Sequence, residues 1–387
     1  MAAAEAIPAG TSAFSSSTDN EFVKTFRPPL LDSSYPLNIH PKFSSSEARD
    51  TIEKWMQLHK VDGIFTPEGY KLLLDMDIPA FGGRIFTEAP EEGLEWGIKF
   101  LFMLWIWDDT MDSTELGLSP ETALSPLLEV QLPLLWSFPD DPVLRQNLEQ
   151  FLNQLEGQAR QEKVAYIESV LAVARTKPGT VYPKPMSTVM TNVYFEFWKH
   201  VIANASPEFA VRLARANQQW FLGMLQETES RENGDQCMSS IDEYIKLRRR
   251  TSALPSVIGI NDFVYGLKTS PDSWCYSREY KNVVEAINDV TSWQNDVWSF
   301  KKEVLVAKDP YNMVLHVSVH RKVSYTEAAM ITNQMIQDRI LDLEKAAKEL
   351  ESITPPECQR NFEVLLLTGR NIVSGGEYFY SKSVRYL

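Results

Sequence analysis

The chain has 387 residues, of which 52 are acidic and 38 are basic, and its formal net charge is −14 at pH 7. This balance argues against binding to nucleic acid, because such binding normally requires a basic surface, and we expect no nucleic-acid partner. The three cysteines are far apart and odd in number, which suggests neither a disulfide framework nor a zinc site.

Residues 1–45 are predicted to be a flexible tail, since they are rich in small residues, polar residues and prolines and have little hydrophobic periodicity. They lack the basic start and the unbroken apolar core of a signal peptide. The longest apolar run in the chain is well short of the ~20 residues that span a bilayer. We therefore expect a cytoplasmic protein with no transmembrane segment and one domain over residues 46–387.

Helical patterns follow the tail. Ser44 and Glu47 form a capping signal for a helix that continues through Ile52, Trp55 and Met56. No segment shows the period-two alternation and hairpin turns of a β-sheet, and no linker or repeat divides the chain, so we predict a single all-α domain. Its further helices are expected, in chain order, over residues 93–109, 127–135, 142–174, 189–203, 207–226, 241–265, 280–303, 324–350 and 356–386.

The most unusual segment is a run of apolar residues, 100–107, followed directly by Asp108, Asp109 and Asp112. An apolar run of this kind predicts a buried helix. An unpaired buried carboxylate must neutralise, find a partner or bind a metal. The three aspartates share one helix face by their spacing, and such oxygen ligands suit Mg²⁺. Taken alone, the motif has a simpler interpretation as a solvated acidic helix end.

A second constellation is formed by Asn295, Ser299 and Glu303, which are spaced by four residues. On a helix they form one stripe. An amide, a hydroxyl and a carboxylate oxygen together make a hard, oxygen-only cation site. The alternative is a polar face that happens to contain these residue types, but the presence of the first acidic motif favours metal binding.

Cationic side chains form the third constellation. Residues 248–250 are all arginine, Lys302 lies inside the second stripe, and Arg385 and Tyr386 nearly end the chain. Arginine binds phosphate oxygens through a planar fork of donors. The alternatives are an exposed basic face for the three arginines and a cation that relieves the helix dipole for Arg385. Together, the three constellations predict a diphosphate held by Mg²⁺ and by cationic side chains.

These motifs resemble those of the class I terpene cyclases of fungi and bacteria, most of all the fungal sesquiterpene synthases. The matching residues are Asp108-Asp109-x-x-Asp112, Asn295-Asp296-x-x-Ser299-x-x-Lys302-Glu303 and Arg385-Tyr386, and the resemblance runs from about residue 50 to the C-terminus. The family implies an all-α class I terpenoid synthase bundle around a central active-site cavity. It also implies Mg²⁺-dependent ionisation of a prenyl diphosphate, followed by cyclisation. By resemblance to single-domain fungal enzymes, we expect farnesyl diphosphate as the substrate and a cyclic sesquiterpene as the product.

The resemblance also implies metal ligands, and the family uses three Mg²⁺ ions. Asp108 corresponds to a ligand that bridges two of them. Asp112 is a nearer candidate for co-ligation than Asp109, for which pairing with an arginine is the alternative. The residues that correspond to ligands of the third Mg²⁺ are Asn295, Ser299 and Glu303.

Further residues of the family hold the diphosphate and line the cavity. Arg248 corresponds to the arginine that senses the diphosphate, and Arg249, one position away, is the alternative. Lys302 and Arg385 correspond to diphosphate ligands, with Tyr386 beside them to support closure. The candidates for the cavity lining are Trp105, Phe379, which replaces a family tryptophan, and Phe195 or Phe197, with an ordinary core position as the alternative for each.

One feature departs from the family pattern: 187 residues separate Asp108 from Asn295, more than is usual. We assign the excess to the region between Leu127 and Pro185. Other functions compatible with the sequence are a diterpene cyclase that uses geranylgeranyl diphosphate, a chain-elongating prenyl synthase and a helical scaffold protein. The elongating family would carry a second Asp-rich motif where this chain has the Asn295 stripe. The motifs leave open the product, the capture of the final cation by water and the oligomeric state.

Overall fold

Helices form nearly all of the regular structure, and the described residues contain no β-strand. The computed structural model describes residues 26–31, 33–113, 117–233, 238–307 and 309–386. The predicted all-α class is confirmed. The α-helices are, in chain order, α1 (Ser45–Leu58), α2 (Pro67–Asp75), α3 (Ile78–Ile85), α4 (Glu91–Ser113), α5 (Pro120–Glu129), α6 (Gln131–Ser137), α7 (Pro142–Leu152), α8 (Gly157–Arg175), α9 (Val189–Asn204), α10 (Pro207–Asn233), α11 (Ile241–Thr251), α12 (Leu254–Gly259), α13 (Asn261–Val264), α14 (Asp272–Cys275), α15 (Arg278–Phe300), α16 (Met313–Arg321), α17 (Tyr325–Ile353) and α18 (Gln359–Lys382). A π-helical segment, Lys301–Ala307, continues α15, and two 3₁₀ turns lie at Val61–Gly63 and Pro356–Cys358.

Some predicted helices are divided in the structure. The segment predicted over residues 142–174 forms α7 and α8, because Gly157 adopts a positive φ of 52° where α8 begins. The segment predicted over residues 241–265 forms α11, α12 and α13, with Ala253 at a φ of 57° between the first two. The helices α2, α3 and α16 were not predicted, since each has nine residues or fewer, too few to complete a clear hydrophobic repeat.

The apolar run at residues 100–107 lies inside α4, at the centre of the larger hydrophobic core. Met103 and Trp107 are completely buried. The helix packs against α3, α9 and α13. A close approach to α13 requires Gly93, because a Cβ there would lie 1.8 Å from the carbonyl oxygen of Val264. Packing on all sides therefore fixes the position of α4, and with it the acidic end of the helix.

The second motif helix, α15, packs against α11, α16, α17 and α18. Helix α18 also packs against α3, which in turn contacts α4. Helices α3 and α18 thus connect the two helices that carry the sequence motifs. Between α4 and α15 lies a cavity whose wall includes both Asp108 and Asn295.

Two expectations from the sequence concern membrane-spanning helices and the cysteines, and both can be compared with the part of the chain that the structure describes. None of its helices is both long and apolar enough to cross a membrane. Cys275 and Cys358 are free thiols, and Cys237 lies outside the described residues.

The N-terminal segment differs from the prediction of a flexible tail that ends at residue 45. Residues 1–25 and residue 32 lie outside the described residues, but residues 26–31 and 33–43 run along the helical domain. Phe26 and Leu31 are buried, and the Phe26 ring lies 5.2 Å from the ring of Phe300, next to the second motif. The Leu31 amide donates a hydrogen bond of 3.2 Å to Glu377 in α18. Large apolar side chains spaced among the prolines allow this segment to pack without forming a helix.

The partners of Glu377 suggest that this carboxylate stabilises the junction of the N-terminal segment, α15 and α18. It accepts hydrogen bonds from the side chains of Gln294 at 3.0 Å and Trp298 at 3.2 Å, in addition to the Leu31 amide, and burial raises its pKa. We expect Glu377→Gln to lower the free energy of unfolding by about 1–3 kcal/mol, because an amide nitrogen would face a donor. Chemical denaturation measures this change. The control is Glu363→Gln on the exposed face of α18, which should change stability by less than about 0.5 kcal/mol; an equal effect of both changes would argue against the junction.

Candidate active site

The acidic motif lies at the C-terminal end of α4. The side chain of Asp108 is 52% exposed and that of Asp109 is 16% exposed. Asp112 also lies in α4, but its side chain is outside the described residues. The two described carboxylates meet one guanidinium: Arg385 pairs with Asp109, and its other terminal nitrogen lies 3.3 Å from Asp108 Oδ2. The sequence places carboxylates directly after a buried apolar helix segment. The ion pair with Arg385 compensates part of their negative charge.

The C-terminal residues beyond α18 connect α4 to α15. The backbone turns at Ser383, whose carbonyl oxygen accepts the amide of Tyr386 at 3.1 Å. This turn places Arg385 against α4 and the Tyr386 hydroxyl 3.1 Å from the Asn295 side-chain nitrogen, which donates to it. Arg385 is 6% exposed, and although burial alone would lower its pKa, Asp109 and Asp108 raise it. The structure thus brings Asp108, Arg385, Tyr386 and Asn295 to one end of the cavity.

The stripe on α15 continues into the π-helical segment. Ser299 Oγ donates to Glu303 Oε2 at 2.7 Å, and Asn312 Nδ2 donates to the same oxygen at 3.1 Å. Burial, followed by the nearby charge of Asp296, raises the pKa of Glu303 to about 7. The Glu303 carboxylate, the Ser299 hydroxyl and the side-chain oxygen of Asn295 in the same stripe are oxygen donors of the kind that suits a hard divalent cation. These residues therefore fit Mg²⁺ by their chemistry.

Arg248 and Arg249 point to different parts of the protein. Arg248 lies on the cavity wall and donates at 3.0 Å to both Asp296 Oδ1 and Asn295 Oδ1. Arg249 instead donates to both oxygens of Asp289 at 2.7 Å, and to Glu285 at 2.6 Å. The structure thus brings Arg248, and not Arg249, to the cavity.

Asp296 is a site residue to which sequence reasoning gave no role. It is fully buried and accepts hydrogen bonds from the Tyr244 hydroxyl at 2.7 Å and the Met313 amide at 3.0 Å, besides that of Arg248. Asn312, which donates to Glu303, was missed as well. The position of Asp296 inside the second motif could have identified it as a site residue. No sequence motif marks Asn312.

Charged residues at a second part of the cavity wall were also missed. Arg231, at the end of α10, pairs with Asp309 at 3.2 Å, and its guanidinium lies 5.8 Å from the ring centre of Tyr311. All three line the cavity. Lys302 adjoins Glu303 in the π-helical segment, where its charge lowers the pKa of that carboxyl against the effect of burial. Lys302 is not among the residues that line the cavity.

The rest of the wall consists of aromatic and aliphatic side chains together with Glu227 and the hydroxyl residues Thr251, Ser252, Thr291 and Ser292, and it surrounds a cavity of about 160 Å³. This is far more than the roughly 10–15 Å³ that one water molecule needs, so the cavity can hold a molecule much larger than water. Trp105 lines it, with its ring 6.0 Å from Phe81 and 5.8 Å from Phe379. Phe379 stacks on Phe81 behind this surface. Phe195 and Phe197 pack elsewhere, against the rings of Tyr182 and Phe100, respectively.

The helical bundle surrounds a cavity whose wall includes Asp108, Asn295, Glu303, Arg248 and Arg385, which is the arrangement that the resemblance to class I terpene synthases implies. Residues 153–342 match the family model described as "Terpene synthase family 2, C-terminal metal binding". This matched region contains Arg248 and the α15 stripe, whereas Asp108 and Arg385 lie on either side of it.

Relatives agree with this similarity, and a solved structure agrees with the fold. The chain is 24% identical over 375 residues to α-gurjunene synthase of Marchantia polymorpha, covering 93% of this chain and 86% of the relative. It is 27% identical over 165 residues to 4-epi-cubebol synthase ((2E,6E)-farnesyl diphosphate cyclizing) of Streptosporangium roseum, covering 43% and 49%. The structure of wild-type cucumene synthase has the same fold, with a TM-score of 0.64 at 14% identity and coverage of 90% and 98%. The family model matches just under half of the chain, and the model and the relatives agree that the chain is similar to terpene synthases.

Proposed function

We propose that this enzyme ionises farnesyl diphosphate in a Mg²⁺-dependent reaction, cyclises the resulting cation to a sesquiterpene and releases diphosphate. The observation that carries the proposal is that Asp108, Asn295, Glu303, Arg248 and Arg385 line the same cavity as a set of aliphatic and aromatic side chains that includes Trp105 and Phe81. A prenyl diphosphate requires both kinds of side chain, because its diphosphate is anionic and its prenyl chain is apolar. The proposal treats residues 46–387 as the catalytic domain, with residues 26–31 and 33–43 packed on it.

The metal ions would be held by two sets of ligands, Asp108 with Asp112 on α4, and Asn295, Ser299 and Glu303 from α15 onward. Three ions are expected from the family. When bound, Mg²⁺ neutralises the leaving diphosphate, which makes cleavage of the carbon–oxygen bond feasible without a strong protein acid.

Protein cations complete the diphosphate site. Arg248 is oriented by Asp296, and Arg385 is directed toward the end of α4 by Asp109. Both present planar guanidinium donors that suit phosphate oxygens. Lys302, beside Glu303, would add a further positive charge, and the Tyr386 hydroxyl would connect the closed C-terminal segment to Asn295. Asp109 acts in this scheme as the partner of Arg385.

The apolar walls then control the fate of the cation. Closure by the C-terminal segment excludes water, which would otherwise capture the cation early. Trp105 presents an aromatic ring to the cavity, and such a ring attracts a cation by ~0.5–2 kcal/mol. The choice of a C15 substrate is supported by the similarity to the farnesyl diphosphate-cyclising relative.

The test is incubation of the purified protein with geranyl, farnesyl or geranylgeranyl diphosphate and Mg²⁺, followed by mass analysis of the products. We expect farnesyl diphosphate to give a cyclic C15 product, and removal of Mg²⁺ by EDTA to stop the reaction. Asn295→Ala is expected to lower kcat/KM at least about 100-fold, because a metal ligand and the contact to Tyr386 are lost. Asn282→Ala, on the same helix at a partly exposed position, is the matched control.

The outcomes distinguish the alternatives. A cyclic C20 product formed only from geranylgeranyl diphosphate would replace the proposal by a diterpene cyclase. A lengthened prenyl diphosphate, formed when isopentenyl diphosphate is added, would indicate chain elongation. Diphosphate release without a cyclic product from any substrate would contradict the proposed cyclisation.

A further inference from the structure

The three consecutive arginines of α11 have three different environments. Arg248 faces Asp296 and Arg249 faces Asp289. Arg250 forms no ion pair with a carboxylate of the described residues; its one hydrogen bond goes to the neutral side chain of Gln226 at 3.1 Å. In a chain with a net charge of −14, a partly buried arginine without a carboxylate partner is an unusual arrangement.

The burial of Arg250 makes its lack of a carboxylate partner more informative. Its Nε is buried without a hydrogen-bond partner, and burial lowers the pKa of the guanidinium. The backbone at this position is held by close packing of α11 on α10, since a Cβ on Gly223 would lie 3.2 Å from the Arg250 carbonyl carbon. A desolvated donor without a partner reduces stability unless a ligand satisfies it. The backbone of Arg250 is thus held in place, and the guanidinium has a buried N–H donor without a partner.

Arg250 lies in a groove of about 520 Å³, which we call the α11 groove and define by Gln226, Ser239, Lys246, Arg250, Tyr311 and His316. Lys246 is exposed and lies one helical turn before Arg250, so both cations are on the same face of α11. Burial lowers the pKa of His316 to about 4, and this side chain therefore adds no charge at pH 7. The one carboxylate that lines the groove among the described residues is Glu243, which accepts the Ser239 hydroxyl.

The α11 groove is separate from the proposed diphosphate end of the cavity. Of the residues that define it, Tyr311 also lines the cavity, whereas Arg248 and Arg385 line the cavity alone. The groove and the cavity thus share a wall at Tyr311. An anion that leaves the cavity on this side would meet Arg250 and Lys246.

We propose that the α11 groove is a second anion-binding site, which takes inorganic diphosphate. The fork of the Arg250 guanidinium would bind phosphate oxygens, the Lys246 ammonium would add a second positive charge, and the Ser239 and Tyr311 hydroxyls are further hydrogen-bonding groups. Because the site is built from protein cations, it does not require Mg²⁺. The proposal concerns binding and holds whether or not the enzyme cyclises farnesyl diphosphate.

The experiment is isothermal titration calorimetry of the full chain with sodium diphosphate in the presence of EDTA. We expect the Lys246→Gln/Arg250→Gln double variant to bind diphosphate at least tenfold more weakly than the wild type. Glu243→Gln should bind it more tightly, because a negative charge at the rim is removed. Lys54→Gln, which changes an exposed lysine on α1, is the matched control and should leave binding unchanged. Circular dichroism of each variant establishes that it is folded.

A comparison with Arg385→Gln distinguishes the groove from the cavity. Binding that is lost in Arg385→Gln and kept in the double variant would overturn the proposal, as would equal weakening by Lys54→Gln. Titration with inorganic phosphate tests whether the groove prefers diphosphate to phosphate. Tighter binding of diphosphate supports the proposal, and tighter binding of phosphate would overturn the assignment to diphosphate.

Discussion

Replacement of Arg385 by glutamine is expected to lower kcat by about 10²- to 10³-fold while the protein stays folded. Arg385 is 6% exposed and contacts both Asp109 and Asp108. It therefore connects the C-terminal segment to the acidic end of α4. Glutamine keeps hydrogen-bond donors but removes the charge that would stabilise the departing diphosphate. Steady-state kinetics with farnesyl diphosphate, together with a thermal unfolding curve, measures the effect.

The products of the Arg385→Gln enzyme provide a second measurement. Without the ion pair, we expect poorer closure, and therefore a larger fraction of acyclic or hydroxylated products from early capture by water. Lys382→Gln removes an exposed cation from the C-terminal end of α18, three residues before Arg385, and should change neither the rate nor the products. Wild-type kcat and products in Arg385→Gln would exclude a role for this arginine in closure.

The two motif helices show which features of this protein could be predicted from the sequence. The apolar run at residues 100–107 predicts a buried helix, because no face of it is polar, and the structure places it at the centre of the core. The spacing of Asn295, Ser299 and Glu303 predicts one stripe, and two of its members are in hydrogen-bond contact. Such features depend on local periodicity, so they could be inferred without knowledge of the fold.

Features that depend on packing between distant segments could not be inferred in this way. Successive residues on a helix point about 100° apart, so the choice between Arg248 and Arg249 depends on where Asp296 and Asp289 lie in the folded chain. The aromatic residues pose the same difficulty. Trp105 lines the cavity and Phe195 does not, although both are aromatic residues on apolar helices. Burial of Phe26 and Leu31 depends in the same way on the surface that α15 and α18 present.

The position of Asp296 leads to the prediction with the largest effect on stability. Its carboxylate is fully buried and accepts hydrogen bonds from Tyr244, Arg248 and the Met313 amide. These donors come from α11 and from the first turn of α16, so one side chain connects both helices to α15. Removal of one partner from a buried charge pair leaves the other charge uncompensated, which costs about 3–5 kcal/mol.

Asp296→Ala is therefore expected to lower the free energy of unfolding by about 3–5 kcal/mol, measured by chemical denaturation. Tyr244→Phe removes one hydrogen bond and keeps the ion pair, and we expect a smaller loss of about 1–2 kcal/mol. Asp338→Ala, at an exposed position on α17, is the control and should change stability by less than about 0.5 kcal/mol. A loss in Asp296→Ala no larger than in the control would show that the buried pair contributes little. If the loss is large, Asp296→Asn separates stability from activity. The asparagine keeps the shape of the side chain but not its charge, so Arg248 would be less firmly oriented toward the diphosphate and kcat should fall in the protein that remains folded.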